Sequence, residues 1–188
     1  MGMHTGAIAV GQLLVATQPG RGGYFDRAVV LIVEHHLEGT VGVCLNLVSD
    51  MPPEAAAAHF APLLSPPGVL FEGGPVNSEV VLALGKPAAA GGEPPGWERL
   101  AGDVGLVDLR FPSELLESSF VGLRLFVGLS SWSPGQLEGE LIRGSWFRTE
   151  VRADDVFGNP DGLWRRVLRR MGGLPGRWST WTEEPALN

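Results

Sequence analysis

The order of apolar and polar residues divides the chain into short elements of two periods. Residues 10–16 (Val-Gly-Gln-Leu-Leu-Val-Ala) form a first strand-like run. Residues 28–34 (Ala-Val-Val-Leu-Ile-Val-Glu) are β-branched and apolar without alternation, the pattern of a central strand buried on both faces. His35 to Gly39 reads as a turn, and residues 40–46 return as another strand, so the two runs predict a hairpin. Pro52 and Pro53 open a predicted helix that the alanines carry to about Leu64. Short strands are expected at 68–72 and 79–84, followed by a surface loop over 85–97, where Gly and Pro are too frequent for regular structure. Strands at 104–109 and 122–130 bracket a short helix over 112–118.

The segment Trp132-Ser133-Pro134-Gly135-Gln136-Leu137-Glu138 reads as a helix start. Ser133 is a suitable N-cap, Pro134 suits the first helical position, and Gln136 stands where it can reach back to the Ser133 backbone. Glu138 adds negative charge at the positive end of the helix dipole. Leu137 and Leu141 make one apolar stripe, and Gly144 offers a left-handed stop. A strand over 146–151 precedes a last helix, from Asn159-Pro160 to Gly172-Gly173, with Leu163, Trp164, Val167, Leu168 and Met171 on its apolar face. The tail from Leu174 sets Trp178 and Trp181 among polar residues and is expected to be only partly ordered. Strands and helices do not alternate strictly and no internal repeat is found, which favours α+β with a mixed sheet over a doubly wound sheet.

The 188 residues suit a single domain over 1–188 with a large enough core to need no staples. A net charge of −7 argues against nucleic-acid binding by the whole surface while leaving room for a local basic patch. Lys86 is the only lysine among 14 basic residues, a bias that reflects genomic composition. Cys44 stands alone, so no intrachain disulfide forms and a reducing cytoplasm is expected. The chain opens without a basic n-region and has no apolar window of about 18 residues, so neither a signal peptide nor a membrane span is expected.

Candidate chemistry is sparse. Glu34-His35-His36 could serve acid–base or metal chemistry, yet adjacent strand residues face opposite ways, and neither His4 nor His59 completes a metal spacing. A polar strand end is the favoured reading, and no metal or cofactor is expected. Cys44, between Val43 and Leu45, reads as a core thiol before it reads as a nucleophile. Glu72-Gly73-Gly74-Pro75-Val76 is a tight turn or a ligand-contacting one, and it matches neither a Walker A loop nor GxGxxG. Ser130, Ser131 and Ser133 lie outside any nucleophile elbow. Arg165, Arg166, Arg169 and Arg170 form a basic strip on the outer face of the last helix, either solvated, ion-paired or touching phosphates.

Taken together, these stretches resemble the YqgE/AlgH family of small bacterial proteins. The match rests on Gly11 to Ala16, on Phe25-Asp26-Arg27 through Glu34-His35, on Gly39 to Asn46, and on Glu72 to Val76. Trp132 to Glu138, Trp146 and Trp164-Arg165-Arg166 add to it. The chain departs from the family pattern at Leu47-Val48, where Arg-Pro is usual, at Asn77 to Val80, where an arginine is common, and at Gly128 to Ser131, where Gly-Tyr-Ala-Gly is usual. The resemblance implies an α+β fold with a bent mixed β-sheet closing towards a pseudo-barrel, flanked by helices. It implies no reaction, although one branch carries a transcriptional-regulator label. The leading expectation is a non-enzymatic protein that binds a protein, nucleic-acid or other partner, with His35, Asn46, Glu72, Gly73, Gly74 and Glu138 as candidate cleft residues. The alternative is a hydrolase-type enzyme around His35, Asn46, Glu72 and Glu138. A homodimer through a sheet edge or the Trp178–Trp181 tail is a third reading.

Overall fold

In the computed structural model, which describes residues 7–17, 19–20 and 22–182, the strands join into one nine-stranded sheet. They are β1 (Gln12–Ala16), β2 (Val29–His36), β3 (Gly39–Cys44), β4 (Phe71–Glu72), β5 (Val76–Pro87), β6 (Trp97–Ala101), β7 (Val104–Val107), β8 (Phe120–Trp132) and β9 (Trp146–Glu150). The order across the sheet is β6-β7-β5-β8-β3-β2-β1-β9, and all these neighbours run antiparallel. The short β4 pairs with β8 in parallel, which makes the sheet mixed. Among the described residues six α-helices flank it: α1 (Pro53–Ala57), α2 (Ser113–Leu116), α3 (Gln136–Ile142), α4 (Ala153–Phe157), α5 (Leu163–Met171) and α6 (Gly173–Trp178).

The sheet curls into a half-barrel. Gly11, just before β1, lies against Leu100 and Ala101 of β6, so the two ends of the strand order approach each other. A side chain at Gly11 would collide with Ala101 Cβ, and its φ of 82° belongs to glycine. The concave side is filled by Leu13, Val15, Val29, Leu31 and Phe126 against Leu163, Trp164, Val167 and Leu168 of α5. Trp164 Nε1 donates to the Ala16 carbonyl at 2.8 Å and ties α5 to β1. On the convex side, Leu14, Val30, Ile32 and Cys44 pack under Leu137 of α3 with Trp132 and Trp146. A third cluster joins Ala83, Leu123 and Leu125 to Phe60, Trp97 and Leu116. The unbroken apolar run of β2 is thereby explained, because its residues supply both faces alternately.

Several elements differ from the sequence expectation. The helix over 52–64 shrinks to α1 and a separate 3-10 turn at Ala61–Leu63, since Pro62 cannot donate to a continuing α-helix. β5 runs on to Pro87, and β6 occupies 97–101, anchored by Trp97, whose Nε1 donates to the Gly85 carbonyl at 2.9 Å. α4 forms in a stretch where the apolar pattern predicts no element. α3 starts at Gln136, because Gly135 takes the left-handed conformation with φ 76° and breaks the helical run. Ser133 and Pro134 therefore sit in a preceding turn, closed by Gln136 N–H on the Ser133 carbonyl at 2.9 Å. One half of the expected capping box forms: Ser133 N–H donates to Gln136 Oε1 at 3.0 Å. Ser133 makes no side-chain cap. Gly144, with φ 74°, ends α3 as expected. The last long helix begins at Leu163 instead of near Asn159, and α6 follows it directly, with Trp178 against the inner core. His4 and residues 183–188 of the tail lie outside the described residues.

Candidate functional site

The β2–β3 hairpin and the loop into α3 form two walls of a cleft of about 440 Å³. His35, His36 and Thr40 line one wall, and Ser133, Pro134 and Glu138 the other. Local pairing positions them. β3 meets β8 with Thr40 opposite Trp132, so the hairpin tip is held beside the residues that lead into α3. Gly39 permits this approach, because a Cβ there would press on the Trp132 carbonyl. His35 Nδ1 and Thr40 Oγ1 share a hydrogen bond of 2.8 Å, its direction following the imidazole tautomer. Thr40 is buried, so it anchors the half-buried ring from below. Glu138 is exposed. The cleft thus offers an oriented imidazole, a hydroxyl and a carboxylate.

Directly behind the cleft lies a network that the linear pattern did not reveal. Trp132 Nε1 and Trp146 Nε1 both donate to Glu140 Oε2, at 2.9 and 2.8 Å. Gln136 Nε2 donates to Glu140 Oε1 at 3.1 Å. Burial alone would push the Glu140 carboxyl up; the bonds from Trp146, Trp132 and Gln136, with the nearby Arg143 charge, outweigh it and hold the group below its ordinary range. Phe25 completes the aromatic set, stacked on Trp132 with centroids 6.3 Å apart. The one available signal was spacing, since Gln136 and Glu140 stand at i, i+4 on α3.

The remaining candidate residues gather elsewhere. Asn46 Oδ1 accepts from Val29 N–H at 2.9 Å, and Asn46 Nδ2 donates to the Arg27 carbonyl at 2.9 Å, so its amide secures the turn that carries Arg27 at φ 56°. Glu72 accepts from the Tyr24 hydroxyl at 3.4 Å. Burial first and the Glu72 charge second raise the Tyr24 pKa. Gly73 and Gly74 are packing glycines: a Cβ on either would fall on the backbone of β8, at Gly128 or at Leu129. The Gly73 carbonyl accepts from Cys44 N–H at 2.8 Å and from Ser130 Oγ at 2.9 Å. Cys44 is buried, and that burial pushes its thiol up to about 11. Of the six candidate cleft residues, the structure brings His35 and Glu138 together and places Asn46, Glu72, Gly73 and Gly74 outside their cleft.

The AlgH-like family profile matches residues 13–176. The chain belongs to the AlgH-like family. A UPF0301 protein of Streptomyces avermitilis is 41% identical over 100% of this chain and 99% of its own length. One from Thermobifida fusca is 38% identical over 95% of this chain and 94% of its own. A crystal structure of a Corynebacterium diphtheriae protein superposes with a TM-score of 0.87 at 32% identity, covering 95% of both chains. The solution structure of the AlgH protein from Pseudomonas aeruginosa, at TM-score 0.64 and 19% identity over 91% of this chain and 93% of its own, shares the fold.

In this AlgH-like chain the basic strip is largely committed to internal bonds. Arg165 donates to the Ser179 carbonyl at 2.7 Å, and Arg166 donates to the Asp161 and Asn159 carbonyls. Arg170 pairs with buried Asp155 at 2.6 Å and donates to the Glu150 carbonyl at 3.2 Å. Arg169 is exposed. Arg124, buried in β8, stacks over Phe71 at 4.8 Å and donates to the Pro66 carbonyl at 3.0 Å and to that of Gly158. Burial lowers its pKa to about 10. Among the described residues no group of three or more His, Cys, Asp or Glu is placed to hold a metal, and no helix is long and apolar enough to cross a membrane.

Proposed function

We propose that this protein acts by binding rather than by catalysis, and that the cleft between the β2–β3 hairpin and α3 is its recognition site. The observation that carries this reading is the meeting of His35 and Glu138, far apart in sequence, across one cavity of about 440 Å³. An imidazole oriented by Thr40 and an exposed carboxylate suit a small polar ligand with a cationic or N–H group for Glu138 and an acceptor for His35. Two of the nucleophile candidates are held out of reaction, which favours binding. The Cys44 thiol is buried and hard to ionise, and the Ser130 hydroxyl is spent on the Gly73 carbonyl. The hydrolase alternative needs His35, Asn46, Glu72 and Glu138 in one site, whereas Asn46 serves the Arg27 turn. A cytoplasmic location belongs to this reading, supported by the free Cys44.

The test is a ligand-observed NMR screen of amines, amino acids and short polar amides. Hits are then titrated against the native chain and its His35→Ala and Glu138→Gln variants. Each variant should lose about tenfold in affinity, the size of one hydrogen bond to a charged group. Equal affinity in both variants would move recognition elsewhere. A role in gene regulation is the finer version of this reading. It would draw on Arg169 and its neighbours, and would show as duplex-DNA binding that falls steeply between low and physiological salt.

A further inference from the structure

Among the described residues, the two most exposed large apolar side chains both border the cleft. Leu37, 94% exposed, stands at the tip of the β2–β3 hairpin and lines the cavity itself. Ile142, 87% exposed, stands four residues after Glu138 on α3, so it continues the wall that Glu138 begins, one turn further along. The next most exposed, Leu115 and Val121, reach 64% and belong to α2 and to the start of β8. Leu37 and Ile142 do nothing for the core. α3 already gives Leu137 and Leu141 to the convex cluster, and neither Leu37 nor Ile142 joins any of the three clusters. Acid rims the same opening. Glu138 is in the lining and Glu38 follows Leu37; both are exposed, and neither takes part in an ion pair among the described residues. Arg143, the cation of this helix end, lies back along Gly139 on an adjoining face of α3, where its charge acts on Glu140.

We infer that the cleft and its Leu37–Ile142 border are a docking surface for another protein, which inserts an arginine between His35 and Glu138 and lays aliphatic side chains beside it on Leu37 and Ile142. The inference rests on the reading of the cleft as a recognition site, and it names a source for the cationic group. Charge selects the inserted residue. A guanidinium carries only donors, and its planar fork meets a carboxylate such as Glu138 through two parallel N–H bonds. The arginine stem is apolar and can lie along Leu37 and Pro134, which share the lining. The border selects a protein over a free amine. Exposed aliphatic side chains around a polar pocket gain free energy only when a partner covers them, and arginine is among the residues that anchor protein interfaces. A second copy of this chain is the poorer occupant. A two-fold contact sets a surface against itself, which would bring Glu38 and Glu138 of both copies together at a net charge of −7 each.

The probes are a capped Leu-Ala-Arg-Ala-Leu peptide and capped arginine amide, titrated into 15N-labelled protein. Both should shift residues 37–40 and 133–142. The peptide should bind at least about tenfold more tightly than the amide, the size expected for covering two aliphatic side chains. Leu37→Ser and Ile142→Ser, both at exposed positions, should each cost the peptide about threefold or more, and Ile142→Ser should leave the amide unaffected. Peptides with Glu in place of Arg, or Ser in place of both leucines, should bind more weakly than the parent. Amide shifts at the cleft with no tighter binding of the peptide, or peptide affinity indifferent to Ile142→Ser, would overturn the docking surface and leave the cleft a small-ligand site. No shift at the cleft from either probe at millimolar concentration would overturn it too, and the amine and amino-acid screen then decides separately whether the cleft binds at all. Concentration-dependent shifts at Leu37 and Ile142 without any probe would overturn it in favour of a second copy.

Discussion

Two indole N–H groups, from Trp132 and Trp146, converge on one carboxylate oxygen of Glu140. Both indoles are buried, so an acceptor is obligatory. Glu140→Ala leaves both donors unsatisfied and should cost about 2–4 kcal/mol in urea unfolding, while Glu140→Gln, which keeps an acceptor, should cost less than half of that. The carboxyl lies below its ordinary pKa in the folded state. Its contribution to stability is therefore complete above the unfolded value and is lost as pH falls through the depressed folded value. The Gln variant should accordingly show a flatter acid limb in stability against pH. Cys44 gives a second residue-level expectation. With its thiol buried and pushed up to about 11, it should resist a thiol reagent at neutral pH and react only on unfolding. Fast labelling of the native protein would contradict that.

At the scale of elements, the glycines show which turns tolerate change. Gly74→Ala would drive a Cβ into the Leu129 carbonyl, where rigid backbone cannot give way, and should cost more than about 3 kcal/mol or prevent folding. Gly135→Ala meets open space and only the left-handed φ of 76°, so about 1–2 kcal/mol is expected. Comparing the two unfolding midpoints tests the assignment of Gly73-Gly74 to packing. α4 and α5 are joined through Asp155, which accepts from Arg152 N–H at 2.8 Å and from Arg170 at 2.6 Å. Asp155→Ala removes both and leaves Arg170 short of a partner, at about 2–3 kcal/mol. β2, β3 and the stop at Gly144 were legible because apolar runs and glycines act locally. β6 and α4 were not, because their stability comes from partners distant in sequence, such as the Gly85 carbonyl for Trp97 and Arg170 for Asp155.

At the scale of the molecule, the inner core unites β1, β2, β3, β5 and β8 with α4 and α5, so the two halves of the sheet share one core beside the smaller cluster that each half keeps. Denaturant unfolding followed by tryptophan fluorescence and by circular dichroism should give one coincident transition, and separated midpoints would show two units. The sequence by itself determined the α+β class, the double burial of β2, the hairpin that carries His35 and the helix that carries Glu138, since each follows from local period and turn chemistry. Only the tertiary structure decided which candidate residues share a site. His35 meets Glu138 because Thr40 is registered against Trp132, a pairing across the sheet that no local pattern encodes. The same long-range register left Asn46 and Glu72 outside that cleft and turned most of an apparent basic strip into internal bonds. Local chemistry sets what each segment is; closure of the curled sheet sets which segments meet.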